Sequence, residues 1–139
     1  MLKPKPNKSL KIDTLIGAKT RINGDVEFSG GLHVDGYING NVRGELQSGA
    51  TLSVSEQGGI EGSVLVSHIV LNGLVKGDID ATGRVELGEK ARVLGNVHYA
   101  VIETAVGAQI NGKLIHSTNT ERGNGPSEGD AGPIGESRL

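Results

Sequence analysis

Ile22-Asn23-Gly24-Asp25-Val26 is a phrase that this chain repeats. It returns as Ile38-Asn-Gly-Asn-Val42, Ile60-Glu-Gly-Ser-Val64, Val75-Lys-Gly-Asp-Ile79, Val93-Leu-Gly-Asn-Val97 and Ile110-Asn-Gly-Lys-Leu114. Successive starts lie 16, 22, 15, 18 and 17 residues apart. An apolar–Gly–apolar beat at such an interval marks a solenoid, in which each winding buries its apolar side chains only against its neighbours. Six copies imply about six windings.

Between the phrases the aliphatics alternate as in strands, and no segment keeps a 3.6-residue helical period. From Ile22 to Val66 they fall on even numbers, including Phe28, Leu32, Val34, Leu46, Leu52 and Val54. At Ser67-His68 the parity slips, and from Ile69 to Val101 the set is odd; Val106, Ile110 and Leu114 are even again. One-residue slips are what corners and bulges produce. Each winding therefore reads as three short strands around a triangular aliphatic core. The repeated Gly is either a bend where two strands meet, using backbone angles closed to other residues, or an inward residue of a flat strand. Its neighbours should stack outward in two columns: Asn23, Asn39, Glu61, Lys76, Leu94, Asn111, and Asp25, Asn41, Ser63, Asp78, Asn96, Lys113. Asn ladders of this kind suit stacked parallel strands, and Glu61 and Lys76 stand close enough in register to pair.

Composition agrees. Aromatics are only 2% of the 139 residues, so the interior must be narrow and aliphatic. Gly, at 23, is far above the usual level of about 7%. There is no Cys, hence no disulfide framework or thiolate chemistry. No apolar run approaches the roughly 20 residues of a membrane span, and the start lacks the apolar centre of a secretory signal, so a cytoplasmic location is expected. The net charge of −2 hides a gradient. Residues 1–11 carry Lys3, Lys5, Lys8 and Lys11 and no acid, residues 12–116 carry 8 bases and 12 acids, and residues 117–139 carry 2 and 4. Three regions follow: a disordered basic tail (1–11), a single β-helix domain (12–116), and a Ser/Gly/Pro-rich disordered tail (117–139). No basic stripe suited to nucleic acid lies on the domain.

The stretch Asp13-Thr-Leu-Ile-Gly-Ala-Lys-Thr-Arg-Ile-Asn-Gly-Asp-Val26, followed by Gly31-Leu-His-Val-Asp-Gly36 and the later Gly-x-Val beats, resembles the bactofilins over about residues 12–116. The resemblance is specific in the first two windings and more generic afterwards. It implies a right-handed parallel β-helix that polymerises end to end without nucleotide. It also implies filaments or sheets at the cytoplasmic membrane that position cell-wall-modifying enzymes. Many members begin Met-Phe with a nearby Lys as a membrane anchor; this chain begins Met1-Leu2-Lys3, and Leu is the weaker interfacial anchor.

Self-association is expected on physical grounds as well. Solenoids normally carry polar caps, and no amphipathic helix precedes Ile12 or follows Ile115. An uncovered terminal winding offers unpaired strand edges and apolar side chains. The expected contact residues are Ile12, Leu15 and Ile16 at one end and Val106, Ile110, Leu114 and Ile115 at the other. Met1, Leu2, Lys3, Lys5, Lys8 and Lys11 are the candidate membrane-binding set, each Lys contributing about 1 kcal/mol near an anionic surface.

Catalytic, metal and cofactor sites are not expected. Gly83-Arg-Val-Glu-Leu-Gly88-Glu89-Lys90-Ala91 imitates a phosphate loop, but Glu89 intrudes before the Lys and Ala91 replaces the metal-binding hydroxyl. His33, His68, His98 and His116 are read as outward surface residues, with His98 and His116 one winding apart and stacked. Neither an acid/base carboxylate pair nor a Ser-His-Asp set is evident from spacing. The alternative is a left-handed hexapeptide-repeat enzyme, an acyltransferase or a γ-type carbonic anhydrase. A six-residue step through Ile22, Phe28, Val34, Leu46, Leu52, Val64 and Val70 breaks at Lys76 and Thr82, and no two His lie five apart. An ice-binding solenoid would need a Thr ladder, which Thr14, Thr20, Thr51 and Thr82 do not form.

Overall fold

The computed structural model describes residues 12–117. These form a parallel β-solenoid of six windings, each winding made of three faces joined by corners. The first face stacks β1 (Thr14–Ile16), β4 (Gly31–Val34), β7 (Thr51–Val54), the second halves of β9 (Val64–Leu71) and β11 (Ile79–Leu87), and β14 (Val101–Thr104). The second stacks β2 (Arg21–Asn23), β5 (Tyr37–Asn39), β8 (Gly59–Glu61), β10 (Leu74–Lys76), β12 (Arg92–Leu94) and β15 (Gln109–Asn111). The third stacks β3 (Val26–Phe28), β6 (Val42–Gly44), the first halves of β9 and β11, β13 (Val97–Tyr99) and β16 (Leu114–His116). Because β9 and β11 run unbroken around a corner, the third and first faces form one 10-stranded sheet beside the 6-stranded second face. At about 4.8 Å per winding the domain is a rod roughly 29 Å long.

The apolar side chains are inward because alternation leaves one side of each strand for the core. On the second face Ile22, Ile38, Ile60, Val75, Val93 and Ile110 stand in one column. On the third face Val26, Val42, Val64, Ile79, Val97 and Leu114 form another. The first face contributes Leu32, Leu52, Ile69, Val85 and Ile102 above Thr14. Two aromatic rings, Phe28 and Tyr99, pack against the core from the third face; Phe28 covers Gly44, where a Cβ would meet its ring at 3.0 Å.

The repeated glycine is a bend, at the corner between the second and third faces. This corner is so tight that a Cβ on Gly40 would lie 2.0 Å from the Gly24 carbonyl oxygen, and one on Gly62 2.2 Å from that of Gly40. The columns flanking it stack outward as the sequence predicts. Four of the outward residues accept a backbone N–H from the winding above: Asp25 from Asn41, Asn41 from Ser63, Asp78 from Asn96, and Asn96 from Lys113. Ser63 is too short to continue the ladder to Asp78.

The other two corners absorb the unequal intervals. The longest interval holds a protrusion, Glu45–Gly49, with a 3-10 turn at Leu46–Ser48 closed by Gly49 at φ +71°. Leu46, expected inward by parity, is therefore exposed. In β11 Thr82 and Gly83 bulge opposite Ser67, at the expected first slip. The second slip comes earlier than the sequence suggests: Val101 points outward and is 49% exposed, while Ile102 takes the inward place over Val85.

Candidate self-association surfaces

Along the inward columns through Ile38 and Val42, burial changes only at the ends. Ile38, Ile60, Val75 and Val93 are fully buried, whereas Ile22 and Ile110 in the same column are only partly so. Val97 is fully buried and Leu114, one winding on, is 48% exposed. The side chains are similar; what differs is that no further winding stacks on them among the described residues. At the N-terminal end this leaves an open hollow of about 610 Å³ lined by Ile16, Ile22, Val26, Phe28 and Leu32, with Asp13 and Glu27 on its rim. Among the described residues strands β2 and β15 close the second sheet with one edge unpaired. The glycine column ends likewise: a Cβ on Gly24 would meet none of the described residues within 4 Å.

The expected contact residues divide by position. Ile110 and Leu114 are inward column members of the last winding. Ile115 lies on the outer side of the third face, in register with His98. Val106 sits on an outward turn where the preceding winding has Glu89, and is 95% exposed. At the other end Ile16 is inward and buried, Leu15 lies on the outer side of the first face at 60% exposure, and Ile12 precedes β1 and is exposed. The inward Ile102 and Phe28 were missed: a corner hid the parity of the first, and the second read as interior. Met1, Leu2, Lys3, Lys5, Lys8 and Lys11 lie outside the described residues.

The outer faces hold hydrogen-bonded clusters that no spacing revealed. Across β4 and β7, His33 Nδ1 lies 3.0 Å from Ser53 Oγ and its Nε2 lies 3.0 Å from Asp35 Oδ1. The Asp35 carboxyl is held below the ordinary carboxylate value by the Ser55 hydroxyl and by His33, against some loss of solvation. The buried Ser55 Oγ makes no well-aligned hydrogen bond, so the 3.0 Å His33 contact is the firmer cause. A Ser-His-Asp relay also needs donors for a developing oxyanion. Here the flanking N–H groups of Asp35 and Ser55 are spent on Ile16 and Val34 carbonyls, and the cluster lies on a sheet face, so the arrangement ties two windings together.

On the second face Arg21 lies over the Tyr37 ring at 5.2 Å, and the Tyr37 hydroxyl donates to Glu61 at 3.1 Å. Burial first, and Glu61 second, push the Tyr37 phenol above its ordinary value. Lys76 stands beside Glu61 in register without reaching it as an ion pair. Arg84 bridges Glu86 and Glu103 on the first face. His116 does not stack on His98: it occupies an inward column above Tyr99, ring centres 5.4 Å apart. Gly83–Leu87 is strand and Gly88–Ala91 only a tight corner, so no phosphate-cradling loop followed by a helix is built there. Among the described residues no three His, Asp or Glu converge as metal ligands, and no helix is long and apolar enough to cross a membrane.

Comparison with known proteins agrees with this anatomy. Residues 14–115 match the family model "Bactofilin", described as polymer-forming cytoskeletal. The chain is 30% identical over 108 residues to Bactofilin BacP of Myxococcus xanthus (strain DK1622), covering 78% of this chain and 41% of that protein. It is 29% identical over 106 residues to Bactofilin BacO of the same organism, covering 76% of this chain and 81% of that protein. The chain thus spans less than half the length of BacP. No solved structure matches it. The family so described is one of polymer-forming cytoskeletal proteins, not of enzymes. By its repeats, its open-ended solenoid and these matches, the chain belongs to the bactofilin family.

Proposed function

We propose that this chain is a non-catalytic scaffold subunit that joins copies of itself through the two open ends of its solenoid, without nucleotide. The observation that carries this reading is the loss of burial at Ile22, Ile110 and Leu114 within columns otherwise closed to solvent. Burying a few aliphatics roughly offsets the freedom lost on association, and ladder hydrogen bonds between edge strands add the surplus. The filaments lie in the cytoplasm against the inner membrane, held by the basic segment 1–11, and position envelope proteins there. What supports the membrane step is charge: four Lys without an acid, each weakly attracted to anionic lipid and repeated along a polymer.

Two experiments test it. Leu114→Arg places a charge in the end column; it should leave soluble short species where wild type sediments as polymer, and unchanged sedimentation would remove this end from the contact. Deleting residues 2–11 should release the polymer from anionic liposomes, and persistent binding would refute the membrane role of that segment.

A further inference from the structure

Four Asn-Gly pairs lie among the described residues: Asn23-Gly24, Asn39-Gly40, Asn72-Gly73 and Asn111-Gly112. At an Asn-Gly pair a chain readily attacks itself, because glycine is flexible and has no side chain to shield its backbone nitrogen from the asparagine amide. The attack needs an N–H not held in a hydrogen bond, a side chain that can swing round, and water. The solenoid grants these unequally.

In the glycine column each N–H donates to the winding above. Gly24 donates to the Asn39 carbonyl, Gly40 to that of Glu61, Gly62 to Lys76, Gly77 to Leu94 and Gly95 to Asn111, all at 2.9–3.0 Å. Gly112 ends the series, and its N–H has no acceptor among the described residues. Asn111 and Gly112 are both exposed. Asn23 is exposed too, at the opposite end, but the N–H groups point away from that end, so Gly24 is bonded and Gly112 is not. At Asn72-Gly73 packing gives the protection: Gly73 is buried, and the Asn72 amide lies against Gly88. A fifth pair, Asn124-Gly125, lies outside the described residues.

We propose that Asn111-Gly112 is a site of spontaneous deamidation, which retires unassembled subunits from polymerisation as they age. The Gly112 nitrogen bonds to Asn111 Cγ and gives up its proton; the bond from Cγ to the amide nitrogen breaks, and that nitrogen leaves as ammonia. Water opens the resulting five-membered imide, its hydroxyl going to one of the two carbonyl carbons and its proton to the Gly112 nitrogen. Opening at Cγ leaves isoaspartate's alternative, plain Asp; opening at the backbone carbonyl leaves isoaspartate, whose main chain runs through the former side chain and is one carbon longer. Either product adds a carboxylate to the exposed end of the second face. Isoaspartate also lengthens the glycine corner, where a Cβ on Gly112 would lie 2.0 Å from the Gly95 carbonyl oxygen. The inward Ile110 and Leu114 flank that corner and move with it. A copy seated on this end covers the pair from water, so assembled subunits are spared. The link to assembly rests on the end-to-end reading above; the order of reactivity among the four pairs does not.

The test ages the full chain in warm, mildly alkaline buffer, separates pellet from supernatant at high speed, and reads each Asn by peptide mapping with isoaspartate methyltransferase labelling. The unassembled chain is taken from the supernatant or from the soluble Leu114→Arg variant. There Asn111 should convert faster than Asn23 and Asn39 by about 2- to 10-fold, the factor that one hydrogen bond supplies, and faster than Asn72. In the pellet Asn111 should lag behind the unassembled sample. Aged supernatant should lose its capacity to add to fresh polymer, while Asn111→Gln, or Asn111→Ser where the first variant pellets poorly when fresh, should keep it. Conversion of Asn23, Asn39 or Asn72 as fast as Asn111 would overturn the site. Equal conversion of Asn111 in pellet and supernatant would overturn the link to assembly. So would a loss of addition that both substitutions share with wild type, which would place the damage elsewhere, as at Asn124. If nothing pellets, the end-to-end reading and the link to assembly fall together, and the order among the four pairs still decides the site.

Discussion

The four inner windings and the two outer ones are built from the same phrase, yet they face different problems. Ile60 has a winding above and below it and is fully buried; Ile110 fills the same place with one neighbour and is partly open. Gly62 has a carbonyl oxygen 2.2 Å from where its Cβ would be, while none of the described residues approaches the same place at Gly24. Inner windings thus spend their side chains on stability and outer windings keep equivalent side chains available for association. Sequence specifies the unit, and position along the stack decides its role.

The sharpest way to break that contrast is a truncation of the core. Ile60→Ala should cost about 2–5 kcal/mol in chemical denaturation, and Ile110→Ala markedly less, because solvent already reaches the site. Equal losses would mean that the last winding is covered in solution. Next comes the glycine corner. Gly62→Ala forces a Cβ against backbone and should cost about 1–3 kcal/mol for overpacking, with added strain at its φ of +153°. Gly24→Ala meets only the strain of φ +136°, so its melting temperature should fall less. A smaller effect is expected at the broken rung of the polar ladder: Ser63→Asn supplies an acceptor for the Asp78 N–H and should gain about 0.5–1.5 kcal/mol. No gain would mean that the N–H is already satisfied by water.

The smallest effect concerns pH. Asp35 is depressed below its ordinary 3.8 in the folded state. Its contribution is therefore present above that value and disappears as pH falls through the depressed one. Asp35→Asn should lower the urea midpoint slightly at pH 7, and the difference from wild type should close in acid below pH 3.8. A difference that persists there would assign the effect to packing.

Much of this was legible in the chain because a solenoid writes its geometry into its period. The six-membered aliphatic columns follow directly from the repeated phrase, whereas its Gly left a bend and an inward strand position both open until the packing at the corner decided for the bend. Corners outside the repeated phrase were not legible. Leu46 was assigned inward and lies on a protrusion, and Val101 yielded its place to Ile102, because corner length is not encoded in alternation. The same ignorance hid the His33–Ser53 contact: those residues meet only because the Glu45–Gly49 protrusion sets a 20-residue offset between β4 and β7. At the ends, parity placed Ile110 and Leu114 in the inward columns and implied that the adjacent Ile115 faces outward, but it gave no warning that Val106 stands on a turn.

The central claim is that windings continue from one molecule into the next along a common axis. Diffraction from aligned, nucleotide-free filaments tests it most directly. A reflection near 4.8 Å should lie on the filament axis, with a longer repeat set by whole subunits of roughly 29 Å. A 4.8 Å spacing perpendicular to that axis, or protein that stays at its single-chain mass of 14.4 kDa at every concentration, would contradict it.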